Sequence, residues 1–197
     1  MTIRDMLLDD CPSVVDIHLR TFNGFFLSFL GRQFLVELYT GILKDASGLA
    51  YVYEDSTHIM GFVAGIQQPV GFYHRMLCHR WWRFGIAALK PMVRKPVIIP
   101  RLMRVFTINR HITTEEGRGT LMSIAVNPAD QRKGVGKALV DTFLKASIQS
   151  GLKKVDLTTD KNQNEAVNNF YQSLGFSLER SFTTPEGREM NEYLYYL

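Results

Sequence analysis

Gln131-Arg132-Lys133-Gly134-Val135-Gly136-Lys137-Ala138 combines the residue types and spacing of an anion cradle. An apolar run, Leu121–Val126, precedes it and reads as a buried strand. The segment Val135–Gln149 that follows has helical spacing of apolar residues. The first N–H groups of a helix have no intrahelical partner, and the helix dipole is positive there, so phosphate oxygens are favoured. Glycine lets a ligand approach the backbone closely. Two phosphate motifs are excluded by spacing. A nucleotide-hydrolase P-loop needs glycine at 131 and Ser or Thr at 138, where Gln131 and Ala138 stand. A dinucleotide fingerprint needs glycine at 139, which is Leu139. What remains is Q-x-x-G-x-G/A after a strand ending in Val126-Asn127-Pro128.

A second motif lies downstream: Asn164-Glu165-Ala166, then Tyr171, then Leu174-Gly175-Phe176. Together the two resemble the acetyl-CoA signature of the GNAT N-acetyltransferase superfamily. The resemblance implies acetyl-CoA as cosubstrate. It implies that the backbone at Ile124, Ala125 and Val126 holds the pantetheine arm, with the Val126 N–H facing the thioester carbonyl. The loop Gln131, Arg132, Lys133, Gly134, Val135, Gly136 and Lys137 would hold the pyrophosphate. Asn164 would bond the cofactor arm, and Tyr171 would act as the acid that protonates the leaving thiolate. Each has a plainer reading: Asn164 stands where a helix N-cap would, Tyr171 where a helix tyrosine packs on a strand, and Arg132-Lys133 can be solvated surface.

Acyl transfer to an amine also needs the nitrogen to lose protons. Where relatives carry an acid within the fourth strand, this chain has Met122 and Ser123. Glu115 and Glu116, just before that strand, are the candidate catalytic carboxylates. His111 lies near them, and release of the proton to bulk water is a further option. Glu115-Glu116-Gly117 also reads as a surface turn.

These groups need a scaffold. At 197 residues, 46% hydrophobic and 21% charged, the chain suits one soluble domain with a sizeable core. Cys11 and Cys78 form no metal-ligating cluster with histidine, so no metal is expected. The N-terminus lacks a signal peptide's apolar core, and no apolar run is long enough to span a membrane; the expected compartment is the cytoplasm. The net charge of +4 is uneven. Ser56–Thr114 holds nine bases and no acid, leaving 14 bases against 19 acids elsewhere.

The elements follow from periodicity. A first strand covers Thr2–Met6. Asp9-Asp10-Cys11-Pro12 opens a helix with Val14, Val15, Ile17 and Leu19, ending near Asn23-Gly24; His18 reads as an ordinary residue of it, with a catalytic histidine as the alternative. Ser28 caps a second helix reaching about Leu43, and Phe22, Phe25, Phe26 and Phe29 serve as core or as acceptor lining. Leu49–Tyr53 and Ile59–Ile66 are antiparallel strands. An insert at about 69–112 comes next. Pro91, Pro96 and Pro100 break it into one or two short helices and extended connections. Then follow the strand Leu121–Val126, the helix Gly134–Gln149, the strand Val155–Thr159, a helix over Asn164–Ser173 and a closing hairpin. With the fold that the resemblance implies, the expected class is α/β (α+β): a mixed, mostly antiparallel, twisted sheet of six to seven strands with a central parallel pair, splayed as the resemblance implies, and flanking helices.

The expected activity is acetyl transfer to the primary amine of a small molecule, by direct attack in a ternary complex. A nucleotide-linked or other amino sugar suits the Arg/Trp-rich insert. Two alternatives are a non-catalytic acyl-CoA sensor or scaffold, and a peripheral protein docked on a membrane surface through residues 72–106. Nucleic acid is not expected as a partner, and the chain is read as a monomer or homodimer.

Overall fold

The computed structural model describes residues 1–22, 25–94 and 115–197. The alternating segments pair into one sheet of seven strands: β1 (Thr2–Asp5), β2 (Gly48–Glu54), β3 (Ile59–Ile66), β4 (Arg118–Val126), β5 (Lys154–Asp160), β6 (Ser177–Thr183) and β7 (Glu189–Tyr196). Their order is β1-β2-β3-β4-β5-β7-β6. Only β4 and β5 run parallel; the other neighbours are antiparallel. A parallel pair requires a crossover, and α5 (Val135–Gln149) supplies it.

Each face of the sheet has its own core. On one face α1 (Cys11–Thr21), α3 (Arg32–Lys44) and α4 (Phe72–Arg94) place Val14, Val15, Phe34, Leu35, Phe72 and Phe84 against Val52, Phe62, Ala64 and Ala125. On the other, α5 and α6 (Glu165–Ser173) place Val135, Leu139, Phe143 and Tyr171 against Val63, Leu121 and Leu157. Alternation of side chains along each strand feeds the two clusters separately.

The helix starts differ from the sequence expectation. Asp10 precedes α1 but makes no side-chain cap. Its carboxylate accepts instead from the Leu7 N–H at 2.7 Å and from the Arg4 guanidinium at 2.6 and 3.0 Å. The Arg4 contact holds Asp10 below the usual carboxylate range. Ser28 caps nothing; it lies inside the short α2 (Phe26–Phe29), and α3 begins after Gly31, whose φ of 87° suits glycine.

The insert contains one helix of 23 residues, α4, which continues through Pro91 to Arg94. The expectation that proline would stop it fails on energetics. A mid-helix proline costs about 3 kcal/mol. Burying an apolar side chain contributes roughly 1.5–3 kcal/mol. Phe72, Met76, Phe84 and Ala87 are all buried against the α1–α3 layer. Phe84 meets Phe34 edge-on at 5.2 Å between centroids. Gly41 permits the close approach, because a Cβ there would lie 2.7 Å from the Met76 sulfur. Arg75 is also consumed in packing: it bonds Asp45 at 2.9 and 3.2 Å and the carbonyls of Gln68 and Val70. The expectation for 95–112 lies outside the described residues.

The β4–β5 ladder is short. It joins Arg118 to Lys154, Gly119 to Val155 and Thr120 to Asp156, and then stops. Beyond it β4 stays paired with β3 and β5 with β7. A wedge therefore opens in mid-sheet from Leu121 and Leu157 onward.

Candidate active site

The wedge is the floor of a cleft of about 800 Å³. Leu121–Ile124 and Val126 line it from β4, and Leu157–Asp160 from β5. The Asn127 N–H bonds the Met60 carbonyl of β3 at 2.7 Å. Strand alternation then turns the backbone groups of Val126 and Ile124 the other way, toward the gap. The Val126 carbonyl accepts from Thr21 Oγ1 at 3.5 Å; strand N–H groups without a ladder partner are ready to bond an extended, amide-bearing ligand.

At the wide end of the wedge stands the start of α5. Gly134 precedes it with φ 80°, a conformation that disfavours any side chain. The Ala138 N–H makes the first helical bond, to Gly134 O at 3.0 Å. The N–H groups of Val135, Gly136 and Lys137 thus have no partner in their own helix. Gly136 is a different case. A Cβ there would meet only Phe170 at 3.5 Å and Val126 at 3.7 Å, ordinary contact. The fold itself does not demand glycine at 136, whereas a ligand against the helix start would.

Asp130 braces the loop from below. It is 4% exposed and accepts from Lys133 Nζ at 2.7 Å, and pairs with His58 Nε2 at 2.8 Å. These two contacts, Lys133 first, keep the Asp130 carboxyl below its ordinary range, and Asp130 raises His58. The Lys133 charge, read from sequence as a phosphate partner, is used within the loop. Arg132 remains at the cleft, with φ 64°.

The far wall comes from α6. Asn164 stands before that helix without capping it. Its side-chain amide donates to Thr159 Oγ1 at 2.7 Å and to Asp160 O at 3.1 Å, which fixes it against β5 beside the cleft. Tyr171 is 6% exposed, in ring contact with Phe170, Phe176 and Tyr193, and lines the cleft. Burial raises its pKa far above the ordinary phenol value, so the hydroxyl keeps its proton.

Of the residues predicted from sequence, Ile124, Val126, Gln131, Arg132, Gly134, Val135, Gly136, Lys137, Asn164 and Tyr171 share this one cleft. Ala125 does not: it is buried in the core on the α1–α3 face. Glu115 and Glu116 lie before the closed end of the β4–β5 ladder, the wrong end of the wedge. Glu115 is ion-paired there with Lys154 and, at 3.7 Å, with Arg118. The geometry removes both carboxylates as groups acting in the cleft. His111 lies outside the described residues.

The remaining side of the cleft is built by residues that the motifs do not mark. Thr21, Phe22, Phe25 and Leu27 line it from α1 and the turn beyond, opposite Asp160, Arg188 and Met190. Arg188 holds Asp160 with bonds of 2.6 and 2.7 Å from one nitrogen and stands 5.2 Å from the Phe25 ring. His18 also lines the cleft, at 4% exposure. Sequence reading treated it as an ordinary helix residue. The only local sign was a histidine one turn before Phe22 on an apolar helix.

Residues 101–176 match the model of the Acetyltransferase (GNAT) family. No curated protein sequence matches the chain. Among solved structures, a ribosomal-protein-alanine N-acetyltransferase from Brucella melitensis is similar with a TM-score of 0.68 and 11% identity, over 100% of both chains. A spermidine N-acetyltransferase variant from Vibrio cholerae gives 0.64 and 15%, over 100% of this chain and 95% of that one. An aminoglycoside 6'-N-acetyltransferase complexed with coenzyme A gives 0.63 and 12%, over 100% and 97%. At these identities the likeness is one of fold: the seven-stranded sheet with its splayed parallel pair is the acyl-CoA N-acyltransferase fold.

Proposed function

We propose that this chain, whose residues 101–176 match the GNAT acetyltransferase family model, is an N-acetyltransferase that moves an acetyl group from acetyl-CoA to the primary amine of a small molecule. The observation that carries the reading is the wedge. The N–H groups of Ile124 and Val126, past the end of the β4–β5 ladder, lead straight to the N–H groups of the α5 start, an arrangement matched to an amide-bearing arm ending in phosphates.

Acetyl-CoA supplies an activated thioester. Ile124 and Val126 hold the arm by backbone bonds, and the Val126 N–H polarises the carbonyl oxygen that gains charge on attack. Val135, Gly136 and Lys137 hold the phosphates through N–H groups, with Arg132 adding charge. The Asn164 side chain, fixed by Thr159 and Asp160, orients the arm. Tyr171 retains its proton for the sulfur that leaves. Phe22, Phe25 and Met190 give the acceptor an apolar wall, and the amine enters past the Asp160–Arg188 pair.

A nucleotide-linked or other amino sugar stays among the acceptor candidates, because much of the basic insert that suggests it lies at 95–114. Membrane docking through 72–106 is the second reading. Trp82 and Ile86, 50% and 58% exposed on α4, favour it. Among the described residues no helix is long and apolar enough to cross a membrane.

The test is thiol release from acetyl-CoA across a panel of primary amines. Amine-dependent release above background is expected. Tight acetyl-CoA binding with no release for any amine would favour the non-catalytic sensor instead.

A further inference from the structure

We propose that His18 is the catalytic base of the acetyl transfer, receiving the proton that the acceptor nitrogen must lose. This rests on the acetyltransferase reading above and deepens it. Three observations point to His18. It lines the acceptor side of the cleft, beside Phe22, whose ring centroid lies 4.7 Å from its own. Its Nδ1 is engaged with the Tyr39 hydroxyl at 2.7 Å, and that hydroxyl with Ser123 Oγ at 2.9 Å. Its Nε2 is buried without a hydrogen-bond partner; among the described side chains only Ser28 Oγ shares that condition.

The chain of bonds explains the orphan. Ser123 sits in β4 beside an extra residue: β3 pairs Ala64 with Ser123 and Gly65 with Leu121, leaving Met122 unmatched. This bulge lets Ser123 reach the Tyr39 hydroxyl on the α1–α3 face. Such bulges re-aim side chains next to active sites. If Nδ1–H donates to Tyr39 and Tyr39 donates to Ser123, both oxygens are satisfied and Nε2 carries a bare lone pair. The reverse chain would leave an unpaired buried N–H, which native structures tolerate less readily than a spare lone pair. A buried polar group without a partner costs free energy and invites a role. The position that relatives fill with a strand-four acid is thus served here by a histidine on α1, coupled to that same strand through Tyr39 and Ser123.

The strength of the base fixes when it acts. Burial keeps the imidazole neutral down to about pH 4. Such a group is too weak to strip an alkylammonium, whose pKa is roughly 10. The amine therefore loses its first proton to water and enters neutral. Its lone pair forms the C–N bond at the thioester carbonyl carbon, and the displaced C=O pair rests on oxygen, facing the Val126 N–H. The nitrogen, now cationic and acidic, gives a proton to His18 Nε2. The C=O bond re-forms, the C–S bond breaks, and the pair leaves on sulfur, which takes the Tyr171 proton. His18 then releases its proton to water, and Tyr171 regains one.

The experiment measures acetyl transfer to ethylamine and hydroxylamine, nucleophiles small enough to enter any acceptor site. The variants are His18→Gln and His18→Ala. Both should lower kcat about 100-fold. KM for acetyl-CoA and the acetyl-CoA melting shift should not change, and free imidazole should raise the Ala variant at least tenfold while leaving wild type alone. A kcat within threefold of wild type, or a melting shift lost with His18, overturns the role. Nitrogen-15 spectra of the wild-type protein saturated with coenzyme A give an independent reading. An unprotonated Nε2 at pH 7 is expected, and a protonated one overturns the proposal even with transferase activity intact. Wild-type protein that binds acetyl-CoA yet acetylates neither amine would instead count against the transferase reading, and the base would fall with it.

Discussion

Thr120 and Asp156 are the last partners of the parallel ladder, and one residue further on the sheet divides. The closed side of that fork is clamped by Arg118, whose side chain is 5% exposed. It bonds Asp156, and Glu192 at 2.7 Å, with Glu179 at 3.5 Å. Charge is concentrated where the strands must stay together and backbone is left bare where they part.

Arg118→Met should destabilise the fold by about 3–5 kcal/mol, since it leaves the half-buried Asp156 without its ion-pair partner and Glu192 with Arg180 alone. Urea unfolding measures this. A loss below about 1 kcal/mol would mean that the pair is hydrated rather than buried.

The loop brace has a pH signature. Pairing with Asp130 raises His58 above its unfolded value, so its contribution is complete below about pH 6.5 and is lost as pH rises through the raised folded value. Asp130 is depressed, so its share is present above about pH 4 and lost as pH falls further. The stability advantage of wild type over His58→Gln should therefore be larger at pH 6 than at pH 8.5. Denaturant midpoints at the two pH values check it; an equal advantage at both would deny the charged pair.

Tyr171→Phe keeps the ring contacts with Phe176 and Tyr193 and removes only the hydroxyl. It should cut kcat by roughly 100-fold and leave acetyl-CoA affinity within threefold. Stopped-flow and calorimetry separate the two. An unchanged kcat would assign Tyr171 to packing alone.

Local signals marked the residues that share the cleft from β4 round to α6. The glycine loop, Asn164 and Tyr171 could be read because a helix start, a strand and a short helix are contiguous in sequence. The acceptor side depends on contacts between distant positions. His18 meets Tyr39 across 21 positions, and Tyr39 meets Ser123 across 84. No spacing rule links the three, so the sequence favours an ordinary helix residue at His18 over a catalytic one. Glu115 and Glu116 misled for the opposite reason: they are near the right strand in sequence but at its wrong end. The strand segments followed from alternation and the turn signals between them, whereas α4 outran its proline because packing against Phe34 and Gly41 is invisible to local propensity.

The central claim, that the wedge and the α5 start hold acetyl-CoA, is tested most directly at Gly136. A Cβ at the second position of α5 makes only ordinary contacts, and a carboxylate there favours the helix dipole, so the free fold of Gly136→Glu should keep its stability. The same carboxylate would face the phosphates. Calorimetric unfolding with acetyl-CoA at 100 times its dissociation constant should show wild type stabilised by about 2.7 kcal/mol. At the same ligand concentration Gly136→Glu should keep its ligand-free melting temperature and lose most of that gain. An equal gain in both proteins, or none in wild type, would contradict the account.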